Sequence, residues 1–165
     1  MPLHRPTLLL IALLTLLIAM PVHAAAPLAG RVVHVSDGDT VVILTSGREE
    51  VKIRLHGIDC PESKQAFGQV AKRQTLALAG GKDVTVVPLD TDRYGRTVGE
   101  VFLSDGTSLN RTLVSTGYAW WYQKYAPRDA ELAALEAEAR KHRRGLWAES
   151  TSIPPWEWRK LQRQK

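Results

Sequence analysis

Residues 52–62 read Lys-Ile-Arg-Leu-His-Gly-Ile-Asp-Cys-Pro-Glu, and this stretch decides how the rest of the chain is read. Lys52, Arg54 and His56 alternate with Val51, Ile53 and Leu55, the period of a strand with one apolar face. Gly57 ends that strand, and Cys60-Pro61 imposes an extended or turn conformation. Arg54 therefore projects from a strand, and Asp59 and Glu62 flank the loop that leaves it. A guanidinium and two carboxylates this close together are poor core material. They suit a site that handles a metal ion and a phosphate.

Working outward, residues 29–35 and 40–44 read as two further strands. The turn Ser36-Asp37-Gly38-Asp39 joins them, and Thr45-Ser46-Gly47-Arg48 leads into the strand at 49–55. Short turns between successive strands predict an antiparallel meander. The period changes over residues 63–79, where Phe67, Val70, Ala71, Gln74 and Leu78 fall at helical spacing and Gly80-Gly81 follows. Residues 83–89 and 97–103 predict two more strands, separated by the polar loop 90–96. A short helix is expected over 108–116 with Ser108 as its N-cap. A third is expected from Pro127-Arg128-Asp129 to about Arg144, with Leu132, Leu135 and Ala139 inward and Glu131, Glu136, Glu138 and Arg140 in solvent. The Pro- and Trp-containing basic tail, residues 150–165, is expected to hold little regular structure. Five strands and three helices make the chain α+β. The strand count matches five-stranded barrels of the OB type, which bind oligonucleotides.

The chain has 165 residues, enough for one domain, here residues 28–149. Residues 1–24 precede it: a positive start at His4 and Arg5, an apolar run over 8–20, and small residues at Val22-His23-Ala24. This is the pattern of a secretory signal peptide, too short for a membrane span, so the mature protein is expected to be exported, periplasmic or secreted, with no stable membrane span. Without these residues, which carry Arg5 and no acid, 21 Lys and Arg against 17 acids leave a net charge of +4. That balance favours polyanionic partners without specifying a fold. The single cysteine, Cys60, excludes an intramolecular disulfide.

Three groups of residues bear on chemistry. Asp37-Gly38-Asp39-Thr40 reads as a hairpin turn, and it also places Asp39 at a strand start, a rigid base for an oxygen ligand. Asp59, with Asp39 and the backbone carbonyl of Cys60, offers oxygens of the kind Ca²⁺ takes; ion pairing with Arg54 is the plainer alternative. Glu62 is placed to orient or deprotonate a water. In Asp92-Arg93-Tyr94-Gly95-Arg96, Gly95 allows a bend that turns Arg96 inward, where it and Arg54 can clamp a phosphoryl group. Arg93 reads as an exposed loop charge. His34 and His56 lack partners at zinc spacing, and Cys60 lacks the His of a thiol nucleophile.

The three motifs, in this order, resemble the staphylococcal nuclease family over about residues 29–148. The resemblance implies an OB-fold barrel with three helices and a Ca²⁺-dependent phosphodiesterase acting on DNA and RNA and leaving 3′-phosphates; the chain itself is expected to be a monomer. It implies Arg54, Glu62 and Arg96 as the catalytic residues. Ca²⁺ would be bound by Asp39, Asp59 and the Cys60 carbonyl, with Asp37 in an outer shell, and Tyr94 and Tyr125 would contact substrate. The founding nuclease has Thr at the position of Cys60 and a longer, Lys-rich loop after the catalytic Glu. A binding-only relative, a non-catalytic OB domain, would be expected to lack one of Arg54, Glu62 and Arg96; all three are here.

Overall fold

The structure is a computed structural model and describes residues 26–149 and 152–164. The expected signal peptide at 1–24 lies outside the described residues. Strands β1 (Leu28–Asp37), β2 (Thr40–Thr45) and β3 (Glu50–Leu55) form the meander the alternation predicts. The two-residue β4 (Ile58–Asp59) follows, then helix α1 (Gly68–Ala79), strands β5 (Asp83–Thr91) and β6 (Thr97–Leu103), and helix α2 (Leu109–Ser115). After them come β7 (Trp120–Trp121), α3 (Ala130–Lys141), a 3₁₀ turn (Gly145–Ala148) and α4 (Pro155–Arg163).

Five strands close a barrel in the order β1-β2-β3-β6-β5, an OB-like α+β architecture. Closure is made by β3 and β6, which run parallel and pair Ile53, Arg54 and Leu55 with Thr97, Val98 and Gly99. The inward residues are those the alternation marked, among them Val41, Ile43, Ile53 and Leu55, all at most 1% exposed. Leu109, Leu113 and Val114 of α2 cap the barrel. Buried Asn110 completes the backbone where the parallel ladder ends. Its amide nitrogen donates to the carbonyls of His56 (3.0 Å) and Gly99 (3.3 Å), and its oxygen accepts from Val101 N (3.1 Å). A buried carbonyl without such a partner costs about 1–3 kcal/mol.

Helix α2 begins where its cap predicts, with the Ser108 hydroxyl accepting from Arg111 N. Three expectations need correction. The helix expected from residue 63 starts at Gly68, because residues 62–67 fold into turns that end at Phe67 with φ 69°. Glu136 is buried, not solvated: its Oε2 accepts from Trp121 N at 3.0 Å and its other oxygen pairs with Arg140. Trp120 and Trp121 pair with Asp59 and Ile58 as a small ribbon, β4-β7.

The third correction is that the tail is a helix, so there are four helices among the described residues rather than three. Pro155 stands at the first position of α4, Glu157 in its first turn, and Lys160 and Arg163 in its last, each favourable to the helix dipole. Nine residues are marginal as an isolated helix. Tertiary contacts supply the rest: Trp156 stacks on Tyr122 at 5.0 Å and 6°, and meets Trp120 edge-on at 5.7 Å. No helix of the described residues is long and apolar enough to cross a membrane.

Candidate active site

The site forms where β2 begins and β3 ends. Thr40 and Arg54 are direct partners across the β2-β3 ladder, so the residue before Thr40, Asp39, comes beside Arg54. After β3, Gly57 takes φ 72° and turns the chain into β4, whose pairing with Trp120 fixes Asp59. Glu136 holds the Trp121 amide from behind, so α3 supports Asp59 through the ribbon.

The outcome is a tight cluster of opposite charges. One Arg54 nitrogen, Nη2, lies 2.9 Å from Asp59 Oδ1 and 3.3 Å from Asp39 Oδ2, with both carboxylates buried. The other, Nη1, donates to the carbonyls of Leu55 (2.9 Å) and Ile58 (3.0 Å), which locks the guanidinium in place. Asp39 also accepts from Cys60 N at 2.7 Å. Burial opposes the Arg54 charge, but Asp39 and Asp59 outweigh it and raise its pKa.

Arg96 is turned inward by the bend at Gly95, φ 76°. Asp92 organises the whole loop: its carboxylate accepts from Arg96 N (3.0 Å), Arg96 Nε (2.7 Å) and Tyr94 N (2.9 Å). The Arg96 bonds hold its carboxyl below the usual range despite the opposing effect of burial. The free end of Arg96, Nη1, reaches the Thr40 hydroxyl at 3.5 Å, and that hydroxyl donates to Asp39 at 3.2 Å. Arg96 thus belongs to the same network as Arg54. Glu62 is positioned from beneath by α1: a side chain at Gly68 would place its Cβ 1.9 Å from the Glu62 carbonyl, so only glycine permits this approach.

The remaining candidates lie further out. Asp37 accepts from Ser63 Oγ at 2.6 Å, which ties β1 to the loop after Glu62. Tyr94 is exposed, with Arg93 and Arg96 against its ring at 4.8 and 5.5 Å. Tyr125 is exposed and meets Tyr122 edge-on at 4.9 Å, and Tyr122 in turn stacks on Trp156 of α4. Cys60 is buried, and burial together with Asp39 pushes its thiol well above the ordinary value, which agrees with its having no nucleophilic role.

Arg159 of α4 was missed from the sequence. Its Nη1 lies 2.6 Å from Glu62 Oε1 and its Nη2 2.8 Å from Asp59 Oδ2, 97 and 100 residues away in the chain. Burial works against its charge, but the hydrogen bonds and charges of Asp59 and Glu62 more than offset this and raise its pKa.

Asp59 carries the strain of the cluster. Burial first, then the neighbouring Asp39 charge, raise its pKa to about 6, against the lowering effect of Arg159 and Arg54. A carboxyl raised in the folded state contributes stability that is full below 3.8 and lost as pH rises through about 6. In chelator, urea unfolding of wild type and Asp59→Asn from about pH 4 to about pH 7 should show wild type losing stability relative to the variant as pH rises through about 6. Parallel pH profiles would contradict the assignment.

Two buried carboxylates converging on one point create demand for positive charge, and their oxygens are hard donors that suit Ca²⁺. Among the described residues no group of three or more His, Cys, Asp or Glu side chains could hold a metal ion. Asp39 and Asp59 supply two side-chain carboxylates, so a cation held by them would complete its shell with backbone, water or phosphate oxygens.

A closed OB-like barrel with carboxylates and paired arginines at its strand ends has the chemistry of a phosphodiester-hydrolysing protein. The family described as staphylococcal nuclease homologue matches residues 52–149. The chain is 45% identical over 134 residues to an "Uncharacterized endonuclease" of Escherichia coli O157:H7, covering 81% of this chain and 86% of that protein. It is 38% identical over 158 residues to a "Micrococcal nuclease" of Shigella flexneri, covering 90% and 89%. A "Staphylococcal-like nuclease CAN1" of Arabidopsis thaliana is 44% identical over 115 residues, 70% of this chain and 35% of that one. The chain belongs to the staphylococcal nuclease family, and so to the metal-dependent enzymes that hydrolyse phosphodiester bonds in nucleic acids.

Proposed function

We propose that the protein is a Ca²⁺-dependent endonuclease that cleaves both DNA and RNA and leaves 3′-phosphates, acting as an exported monomer. The observation that carries this reading is the convergence of Asp39 and Asp59 on one Arg54 nitrogen, at 3.3 and 2.9 Å. Asp39, Asp59 and the Cys60 carbonyl would hold Ca²⁺, with Asp37 in an outer shell. When bound, the ion would draw charge from the scissile phosphate.

The chain's own groups do the rest. Arg54, locked by two carbonyls, and Arg96, locked by Asp92, present guanidinium groups to the equatorial phosphate oxygens. Charge that builds there in the transition state meets donors already oriented, so little reorganisation is needed. Glu62 orients a water and takes its proton as it attacks in line with the leaving oxygen. Tyr94, against Arg96, offers a face for a nucleotide, and Tyr125 a second one at the α4 side. Export rests on the apolar run before Ala24.

The test is nicking of a plasmid and cleavage of an RNA by the mature protein, with Ca²⁺ and with excess chelator. Cleavage of both polymers only when Ca²⁺ is present is the expected result. Mg²⁺ should support less turnover, because it demands stricter octahedral geometry. Full activity in chelator would overturn the Ca²⁺ assignment, and tight binding without cleavage would make the protein a binding module.

A further inference from the structure

The C-terminal helix does more than cover the barrel. The Arg159 fork spans Asp59, with Nη2 2.8 Å from Oδ2 and Nη1 3.3 Å from Oδ1, while Nη1 also meets Glu62 at 2.6 Å. It therefore stands on the carboxylate proposed to hold the metal and on the one proposed to handle the water. We propose that α4 is a built-in competitor for the catalytic cation: Arg159 holds Asp59 and Glu62 until a divalent cation displaces it, which opens the site. This rests on the cation reading above and adds its regulation.

Charge balance supports exchange rather than co-occupancy. Asp39, Asp59 and Glu62 bring three negative charges, and Arg54 and Arg159 bring two positive ones. Arg96 is already matched by Asp92. A divalent cation in place of Arg159 neutralises these three carboxylates, whereas both together would set four positive charges against them, with Asp39 and Asp59 buried. Coulomb energies between charges about 4 Å apart in such surroundings reach several kcal/mol, so the cation and the Arg159 guanidinium exclude one another on Asp59.

The helix is attached in a way that permits release. It is nine residues long, and only Pro155 in it is buried. Its other contacts include the Trp156 stack on Tyr122, the packing of Trp156 on the small cluster of Trp120, Ala139, Leu146 and Trp147, and, just before the helix, a bond from Gln65 Nε2 to the Ile153 carbonyl at 2.7 Å. That cluster is separate from the main barrel core, so release of α4 leaves the barrel core in place. Departure also unstacks Tyr122 beside Tyr125, on the side where substrate is expected.

Isothermal titration of CaCl₂ into wild type, Arg159→Gln and Trp156→Ala tests the proposal, with thermal melts confirming that each variant is folded. Arg159→Gln should bind Ca²⁺ about ten- to a hundredfold more tightly, the range for losing a charge-assisted competitor. Trp156→Ala, which frees the helix without touching the charged groups, should shift affinity in the same direction. In wild type, Ca²⁺ should change tryptophan fluorescence as Trp156 leaves Tyr122. Equal Ca²⁺ affinities in wild type and Arg159→Gln would overturn the competitor role and leave the cation reading standing. Weaker Ca²⁺ binding in Arg159→Gln would mean that Arg159 supports the site, which also overturns it. Unchanged Ca²⁺ affinity with weaker binding of a single-stranded oligonucleotide would make Arg159 a phosphate contact instead. Absence of binding by every protein, with Mn²⁺ as well as Ca²⁺, would overturn both readings.

Discussion

Replacing Glu62 with Gln is expected to lower turnover by about a hundred- to ten-thousand-fold while leaving oligonucleotide affinity unchanged or slightly higher. Among the described residues, the ion-pair partner of Glu62 is Arg159, at 2.6 Å. Once that arginine is drawn away, Glu62 has no ion-pair partner among the described residues, the condition in which it can accept a proton from water. Glutamine keeps the size and loses the charge. The backbone of Glu62 stays held by Gln65, whose amide donates to the Glu62 carbonyl at 2.8 Å, so packing is preserved. An anion beside a phosphate repels it, so removing the charge does not weaken binding. The measurement compares turnover and affinity at fixed Ca²⁺ and fixed salt, since phosphate contacts make affinity steeply salt-dependent. Wild-type turnover in Glu62→Gln would leave the enzyme reading intact and remove Glu62 as its base.

Arg96→Lys is expected to cost on the order of a hundredfold in turnover. The structure gives a reason beyond the loss of a planar fork. Arg96 spends Nε and Nη2 on Asp92, at 2.7 and 2.6 Å, and still has Nη1 directed toward Thr40 and the cluster. A lysine has one nitrogen, which cannot both anchor to Asp92 and reach a phosphate. Asp92→Asn separates anchoring from reach, because it keeps the guanidinium and loses one charged acceptor. It should lower kcat by a smaller factor, with KM little changed, as befits a positioning residue. Equal turnover of wild type and a folded Arg96→Lys would contradict the clamp.

Much of this site was legible because its residues lie close in sequence or on adjacent strands. Asp39, Thr40, Arg54 and Asp59 are brought together by a tight turn, an antiparallel ladder and one exit loop. Side-chain alternation reports each of these directly, and the core valines and isoleucines follow from the same period. The Asp92–Arg96 loop is also local, and Gly95 marked its bend. The role of Asp92 was less visible: any Asp in a polar loop reads the same until its acceptors are seen.

What the sequence by itself determined is the strand meander, the inward face of the barrel and the local part of the charged cluster, Asp39, Arg54 and Asp59, since these depend on periods of two and on turn residues. Only the tertiary structure decided how distant elements meet. Barrel closure by parallel β3 and β6, the plugging of that seam by Asn110, and the burial of Glu136 behind Trp121 involve partners with no fixed spacing. The α4 helix is the extreme case. Unlike the shorter α2 with its Ser108 cap, α4 has no side-chain N-cap to declare it, and nothing in Pro154-Pro155-Trp156-Glu157-Trp158 signals a destination. Trp156 found Tyr122, and that stacking placed Arg159 on carboxylates 97 and 100 residues earlier in the chain, a juxtaposition set by packing free energy and not by any local pattern.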